Sequence, residues 1–343
     1  MNEGTGTPVI IFGVLSYRSS SDAISQFADA VFPHKVLVHH DFHQRPEFDI
    51  CRENVSLIKR PTRTSWGSWS LVEATLMLIE QATAIGQWDY FQLASESCLP
   101  VRPIGEFAEY LEHMKPDVMI DMQPLKADSP ELMMNYAWRY LPRSPMMRRV
   151  ARRAGVWCIG RDFNYLEGHG GNIKVPSNTP KTRLDNIKML IGKKILTSFD
   201  KWNTGAFPVG KVNQCWVGSQ WFALSRQAAL RVLSERKATP ELEAHFRRCH
   251  IPDESYIQTL VSKCSFNNMQ PSNHVTFWKG GGFGPDELTA SDLPKILRSK
   301  KFFARKFSLD IDCPVRRQIL QLCKRSPGIV IRARHNPRAA DWI

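Results

Sequence analysis

From residue 9 to residue 120 the chain alternates short apolar runs with amphipathic stretches, and this alternation limits the possible folds more than any other feature. Residues 9–15 are apolar almost without interruption, as a strand covered on both faces requires. Ser19, Ser20 and Ser21 then offer N-caps to a helix with Ile24, Phe27, Ala28 and Val31 on one side. Residues 36–38 supply the next strand, so strand, helix and strand follow within about thirty residues, and such a βαβ unit implies a parallel sheet. Further strands are predicted at 55–58, 90–94 and 118–120. Between them come a helix opened by a capping box of Ser70 and Glu73, with Val72, Leu76 and Ile79 on one face, and a helix after Pro103 carrying Ile104, Phe107, Ala108 and Leu111. The reading is an α/β, Rossmann-like, mainly parallel sheet with helices on both faces. Ligands of such sheets sit beyond the C-terminal strand ends, which places Ser16, Tyr17, residues 39–41 and residues 95–98 along one rim.

Charge divides the chain unevenly. Residues 1–128 hold 10 Lys/Arg against 17 Asp/Glu, a balance of −7, while residues 129–343 hold 36 against 16, a balance of +20. A basic field of that size attracts phosphates of any origin without choosing among them. Its basic residues are dispersed and no RRM, KH or helix-turn-helix signature appears, so nucleic acid is not the expected partner. Eight cysteines are scattered with no Cys-x-x-Cys pair, which argues against a zinc knuckle and for reduced thiols in a cytoplasmic protein. The start MNEGTGTPVIIFG is acidic where a signal peptide is basic, and no apolar run approaches a membrane span. Residues 143–215, rich in Gly, Asn, Lys and Pro, predict long loops around one helix near 183–196. The Arg143 to Arg153 cluster there suits either an anionic membrane surface, an acidic substrate or a solvated helix face.

The second half contains the candidate chemistry. A strand at 216–224 leads through Ser225 into a helix with Ala228, Ala229, Val232 and Leu233 inside, and a loop then presents Pro252-Asp253-Glu254 before a helix at 256–261. An acidic pair on such a loop is a candidate general base, with helix capping or a surface ion pair as the alternative. Lys279 with Gly280, Gly281 and Gly282, taken with Arg305 and Lys306 of the basic amphipathic segment 292–307, suits a diphosphate held without metal, or else a glycine turn and a surface basic helix. Asp310-Ile311-Asp312, the one Asp-x-Asp triplet, lies far from the first sheet and is discounted as a metal turn. His39, Asp41 and His43 alternate along an extended run, but imidazoles do not suit magnesium. No nucleophile elbow is present.

Five segments in order, SWGSWSLVEATL, LASESCLP, WVGSQWFALSR, PDESYIQTL and FFARKF, resemble the core-2/I-branching β-1,6-N-acetylglucosaminyltransferases, a family that also holds protein xylosyltransferases. The resemblance covers residues 8–312 and implies a GT-A-like fold, a UDP-sugar donor, inversion at the anomeric carbon and no metal or other cofactor. It makes Glu254 the general base, Lys306 the lysine that stabilises departing UDP with Arg305 beside it, and Asp41 the contact to uracil. Ser95, Glu96, Gln220, Trp221 and Asp253 are expected on the donor or acceptor wall, and Lys279 stands where the family usually has an arginine. The expected organisation is one catalytic domain over residues 1–320, with a nucleotide-binding half at 1–128 and a basic acceptor and diphosphate half at 129–320, followed by a tail at 321–343. The expected reaction transfers GlcNAc from UDP-GlcNAc to a glycan or glycoconjugate hydroxyl, in a cytoplasmic enzyme with peripheral contact at an anionic membrane face. UDP-xylose as donor, or a non-catalytic basic module for nucleic acid or membrane, are the alternatives.

Overall fold

The computed structural model describes residues 7–126, 136, 187, 209–249, 251–278 and 284–324. The Arg143 to Arg153 cluster, the loops and helix expected within 143–208, Lys279 to Gly282 and the end of the tail lie outside them. The first half follows the predicted alternation: β1 (Ile10–Ser16), α1 (Ser21–Ala30), β2 (Lys35–His40), β3 (Val55–Leu57), α2 (Trp69–Ala84), β4 (Tyr90–Ser95), β5 (Leu99–Pro100), α3 (Ile104–Met114), β6 (Val118–Met119) and β7 (Met122–Pro124). Then come β8 (Trp216–Gly218), β9 (Ala223–Ser225), α4 (Arg226–Ala238), α5 (Pro240–Phe246), α6 (Tyr256–Lys263), β10 (Met269–Gln270), β11 (His274–Thr276), α7 (Leu293–Arg298), β12 (Phe303–Arg305) and α8 (Pro314–Lys324).

Seven of the strands form one sheet in the order β10-β6-β9-β4-β1-β2-β3. Every neighbouring pair is parallel except the two made by β9, which runs antiparallel to both β4 and β6. Because side chains alternate across a strand, β1 feeds two cores. Ile11 and Leu15 face α2, α4 and α6, while Ile10, Phe12 and Val14 face α1, α3 and α8. Fully burying an aromatic side chain stabilises by about 2 kcal/mol, and Phe12, Phe27, Phe91, Phe107, Phe222 and Phe303 are all essentially inaccessible. This two-faced α/β sheet is the GT-A-like architecture expected. Among the described residues no helix is long and apolar enough to cross a membrane.

Three local expectations are corrected. Helix α2 begins one residue before Ser70, because Ser68 is its N-cap: the Ser68 hydroxyl accepts from Ser70 N, while Ser70 Oγ accepts from Ser65 N. The strand expected over 216–224 is two strands in different sheets. Chain direction changes after Gly218, where β8 leaves its pairing with β7 and Ser219 N donates to Asp121 O at 3.0 Å. A Cβ at Gly218 would stand 1.8 Å from that same carbonyl oxygen, so only glycine permits the approach. Gly218→Ala is therefore expected to destabilise by roughly 3 kcal/mol through forced separation of β7 and β8, read as a lower denaturation midpoint. An unchanged midpoint would mean the two strands do not pack this closely. Finally, the basic segment 292–307 is not one amphipathic element: after the short α7, Phe303 and Ala304 enter the core as β12, between β11 and β5.

Candidate active site

Strands β1, β2 and β4 all end at one rim of the sheet, and two buried acids shape the loops that leave it. Glu96 follows β4 and accepts three backbone N–H groups of the β1–α1 loop, from Tyr17 (2.8 Å), Arg18 (3.0 Å) and Ser19 (2.9 Å). Asp41 follows β2 and accepts from His43 N, Gln44 Nε2, Thr64 N and Thr64 Oγ1, at 3.0, 2.8, 2.8 and 2.9 Å. Burial pushes the Asp41 carboxyl up, but the bonds from Gln44, Thr64 and His43 outweigh it and hold the group below its ordinary value. Asp41 was expected to contact uracil and Glu96 to lie on the donor or acceptor wall; both carboxylates are buried and engaged with neighbouring loops. They position the rim. Ser95 is likewise turned inward, its hydroxyl 3.1 Å from Ser97 Oγ and 3.2 Å from Cys98 Sγ.

Glu254 closes a short 3-10 turn, Pro252–Glu254, directly before α6. The preceding Ile251 has φ 48°, in the left-handed region that a β-branched residue adopts only when its surroundings hold it there. What holds it is a bond to the β3–α2 loop: Ile251 N donates to Gly67 O at 3.1 Å. The turn is thus fastened to the loop before α2. Glu254 itself is half-buried and its Oε2 accepts from the Tyr136 hydroxyl at 2.9 Å, while Ser255 Oγ donates to Tyr136 O at 3.2 Å. Burial raises the Glu254 carboxyl, and the Tyr136 hydrogen bond and the positive charge of Arg305 pull it back. Asp253, expected on the substrate wall, is 9% exposed and turned away from solvent.

Arg305 ends β12, which pairs with β11 on one side and with Leu99–Pro100 on the other, so the strand carries the cation to the turn after β4. Phe307 N donates to Ser97 O at 2.9 Å, fixing that approach. The guanidinium carbon stands 4.5 Å from the centre of the Trp221 ring, a cation–π contact worth about 1–2 kcal/mol when desolvated. Trp221, read from sequence as a wall of the site, is 4% exposed and acts as the platform for Arg305. The Arg305 Nε has no hydrogen-bond partner among the described residues. Behind it, burial and the charges of Arg305 and Lys301 push His274 down to about 3, so its ring is neutral. Lys306, half-exposed, follows Arg305, and its carbonyl accepts from Leu288 N at 2.8 Å. Gln220 is half-buried in the turn entering β9. Asp310, of the Asp-x-Asp triplet, is exposed and accepts from Asp312 N.

A cavity of about 750 Å³ opens beside this centre, at the C-terminal ends of β6 and β10. Asp121, Gln123, Trp216, Ser262, Phe266 and Gln270 are among its lining residues. Helix α6 links the two places, since it starts two residues after Glu254, receives Trp216 N on Thr259 Oγ1 at 3.1 Å, and reaches the cavity at Ser262. With a rise of 1.5 Å per residue, Tyr256 and Ser262 lie roughly 9 Å apart along α6. Tyr136, His274 and Asp121 were all missed in the sequence, where none of them sits in a motif.

A half-buried carboxylate and a cationic strand end thus lie within electrostatic reach of one another near this rim. The chain is a glycosyltransferase of the core-2/I-branching enzyme family, whose model matches residues 31–163 and 181–302. Among curated proteins none matches it in sequence. The crystal structure of S. aureus TarS 1-349 is 11% identical with a TM-score of 0.22, over 67% of this chain and 65% of that one, and nothing below depends on it.

Proposed function

We propose that this enzyme transfers GlcNAc from UDP-GlcNAc to a hydroxyl of a glycan acceptor, with inversion and without a metal ion. The observation that carries the reading is that Glu254, on the turn before α6, lies close enough to Arg305, at the end of β12, for the guanidinium charge to act on its carboxyl. A hydroxyl attacking an anomeric carbon needs one base, and a departing nucleoside diphosphate needs positive charge where its own negative charge grows. Glu254 takes the acceptor proton as the new C–O bond forms on the face opposite the donor's diphosphate. The bond from the anomeric carbon to the diphosphate oxygen breaks, and its electron pair leaves with UDP, met by Arg305 and Lys306. Two side-chain cations on adjacent residues suit a diphosphate that needs no bridging ion.

The 750 Å³ cavity suits the acceptor. Trp216 and Phe266 offer apolar faces, Asp121, Gln123 and Gln270 offer hydroxyl partners, and no Lys or Arg is among its described lining residues. Such a lining favours a neutral saccharide over an acidic one, although the half of the chain that contains it is strongly basic.

UDP titrated calorimetrically in EDTA is expected to bind the wild type, and Lys306→Ala to weaken it about tenfold or more. Absence of UDP binding in EDTA, with binding restored by a divalent ion, overturns metal independence. Unchanged affinity in Lys306→Ala removes that residue's role. A donor panel read by UDP release distinguishes GlcNAc from xylose.

A further inference from the structure

We propose that Asp253 is a positioning residue that holds a proton in the resting enzyme and thereby lets its neighbour Glu254 stay ionised as the base. The proposal rests on the reading of Glu254 given above. Asp253 and Glu254 are consecutive residues of one 3-10 turn, and the charged and titratable groups facing Asp253 are Glu254, Tyr136 and Arg305. Two ionised carboxylates against one guanidinium leave an uncompensated negative charge in a largely water-free place, which a protein avoids by protonating one of them.

The surroundings decide which one. Glu254 receives the Tyr136 hydroxyl at 2.9 Å, a hydrogen bond that favours a charged acceptor, and it is the more exposed of the two. Asp253 is 9% exposed, and its Oδ1 is buried without a hydrogen-bond partner among the described residues. A bare buried oxygen is tolerable on a neutral acid and costly on an anion. Burial first, then the negative charge of Glu254, push the Asp253 carboxyl upward, and they outweigh the opposing hydrogen bond from its own backbone and the charge of Arg305. During transfer the acceptor proton passes to Glu254 while Asp253 keeps its own. A neutral Asp253 also leaves the Arg305 guanidinium unpaired and available to the diphosphate.

Infrared difference spectra of the full-length protein at about pH 6, where an ordinary aspartate is ionised, test this directly. The wild type is expected to show the carbonyl stretch of a buried protonated carboxyl, 13C-carboxyl labelling of aspartate to shift it, 13C-carboxyl labelling of glutamate to leave it in place, and Asp253→Asn to lose it. A wild type without the band, a band shifted by labelled glutamate, or one retained in Asp253→Asn each overturns the proposal. If Asp253→Asn folds poorly, the two labels on the wild type decide by which of them shifts the band. Whether Glu254 is the base is answered separately, by the transfer activity of Glu254→Gln.

Discussion

Glu254→Gln is expected to lower kcat/KM for transfer by about 10²–10⁴-fold, the range over which a positioned general base contributes. The substitution keeps the shape and the ability to accept from the Tyr136 hydroxyl, so the turn between Ile251 and α6 remains intact. What it removes is the capacity to take a proton. UDP affinity is expected to stay within about twofold, because the proposed reading assigns the donor diphosphate to Arg305 and Lys306 and not to Glu254. A variant that transfers sugar at the wild-type rate would end the assignment of the base. Loss of UDP affinity in parallel with rate would make Glu254 a donor-binding group instead.

Arg305→Ala carries the second large effect, a fall of about 10²–10³-fold in kcat, comparable with deleting one preorganised group that stabilises developing negative charge. The guanidinium is held ready by the Trp221 ring and by the pairing of β12, so no reorganisation is needed when the diphosphate departs. A lysine replacement is not equivalent, since an ammonium neither forks onto two phosphate oxygens nor lies flat on an indole. The variant has a second signature with a definite sign. Arg305 pulls the Glu254 carboxyl downward, so its removal raises that group further and moves the acidic fall of activity to higher pH. A pH–rate profile with an unmoved acidic limb would show that Arg305 and the base do not feel one another.

Periodicity made most of the sheet readable. Residues 10–15 alternate between two cores, and the spacing of Ile24, Phe27 and Ala28 gives the buried side of α1 directly. Glu254 stood out in the sequence because a proline and two acids precede a helix, although the turn that holds them is largely buried. The other acids misled, because sequence displays a charge without its partners. Glu96 binds backbone N–H groups nearly eighty positions earlier, and Asp41 binds those of a loop beyond β3. The break in the predicted strand 216–224 depends on a carbonyl of Asp121, which no local pattern around Gly218 reveals. In FFARKF, three phenylalanines among cations read equally well as an amphipathic surface and as a core strand. Only the empty place between β5 and β11 decides for the strand.

The antiparallel strand β9 also orders events during synthesis. It lies between β4 and β6 although it is made long after both, so a nascent chain that has reached β7 owns the four-stranded fragment β4-β1-β2-β3 and a lone β6 with no strand to join them. The first half therefore leaves the ribosome with the facing edges of β4 and β6 exposed, each an invitation to wrong pairing. Closure waits for three residues, Ala223–Ser225. Pairings this distant in sequence make folding slow relative to a helical protein of equal size.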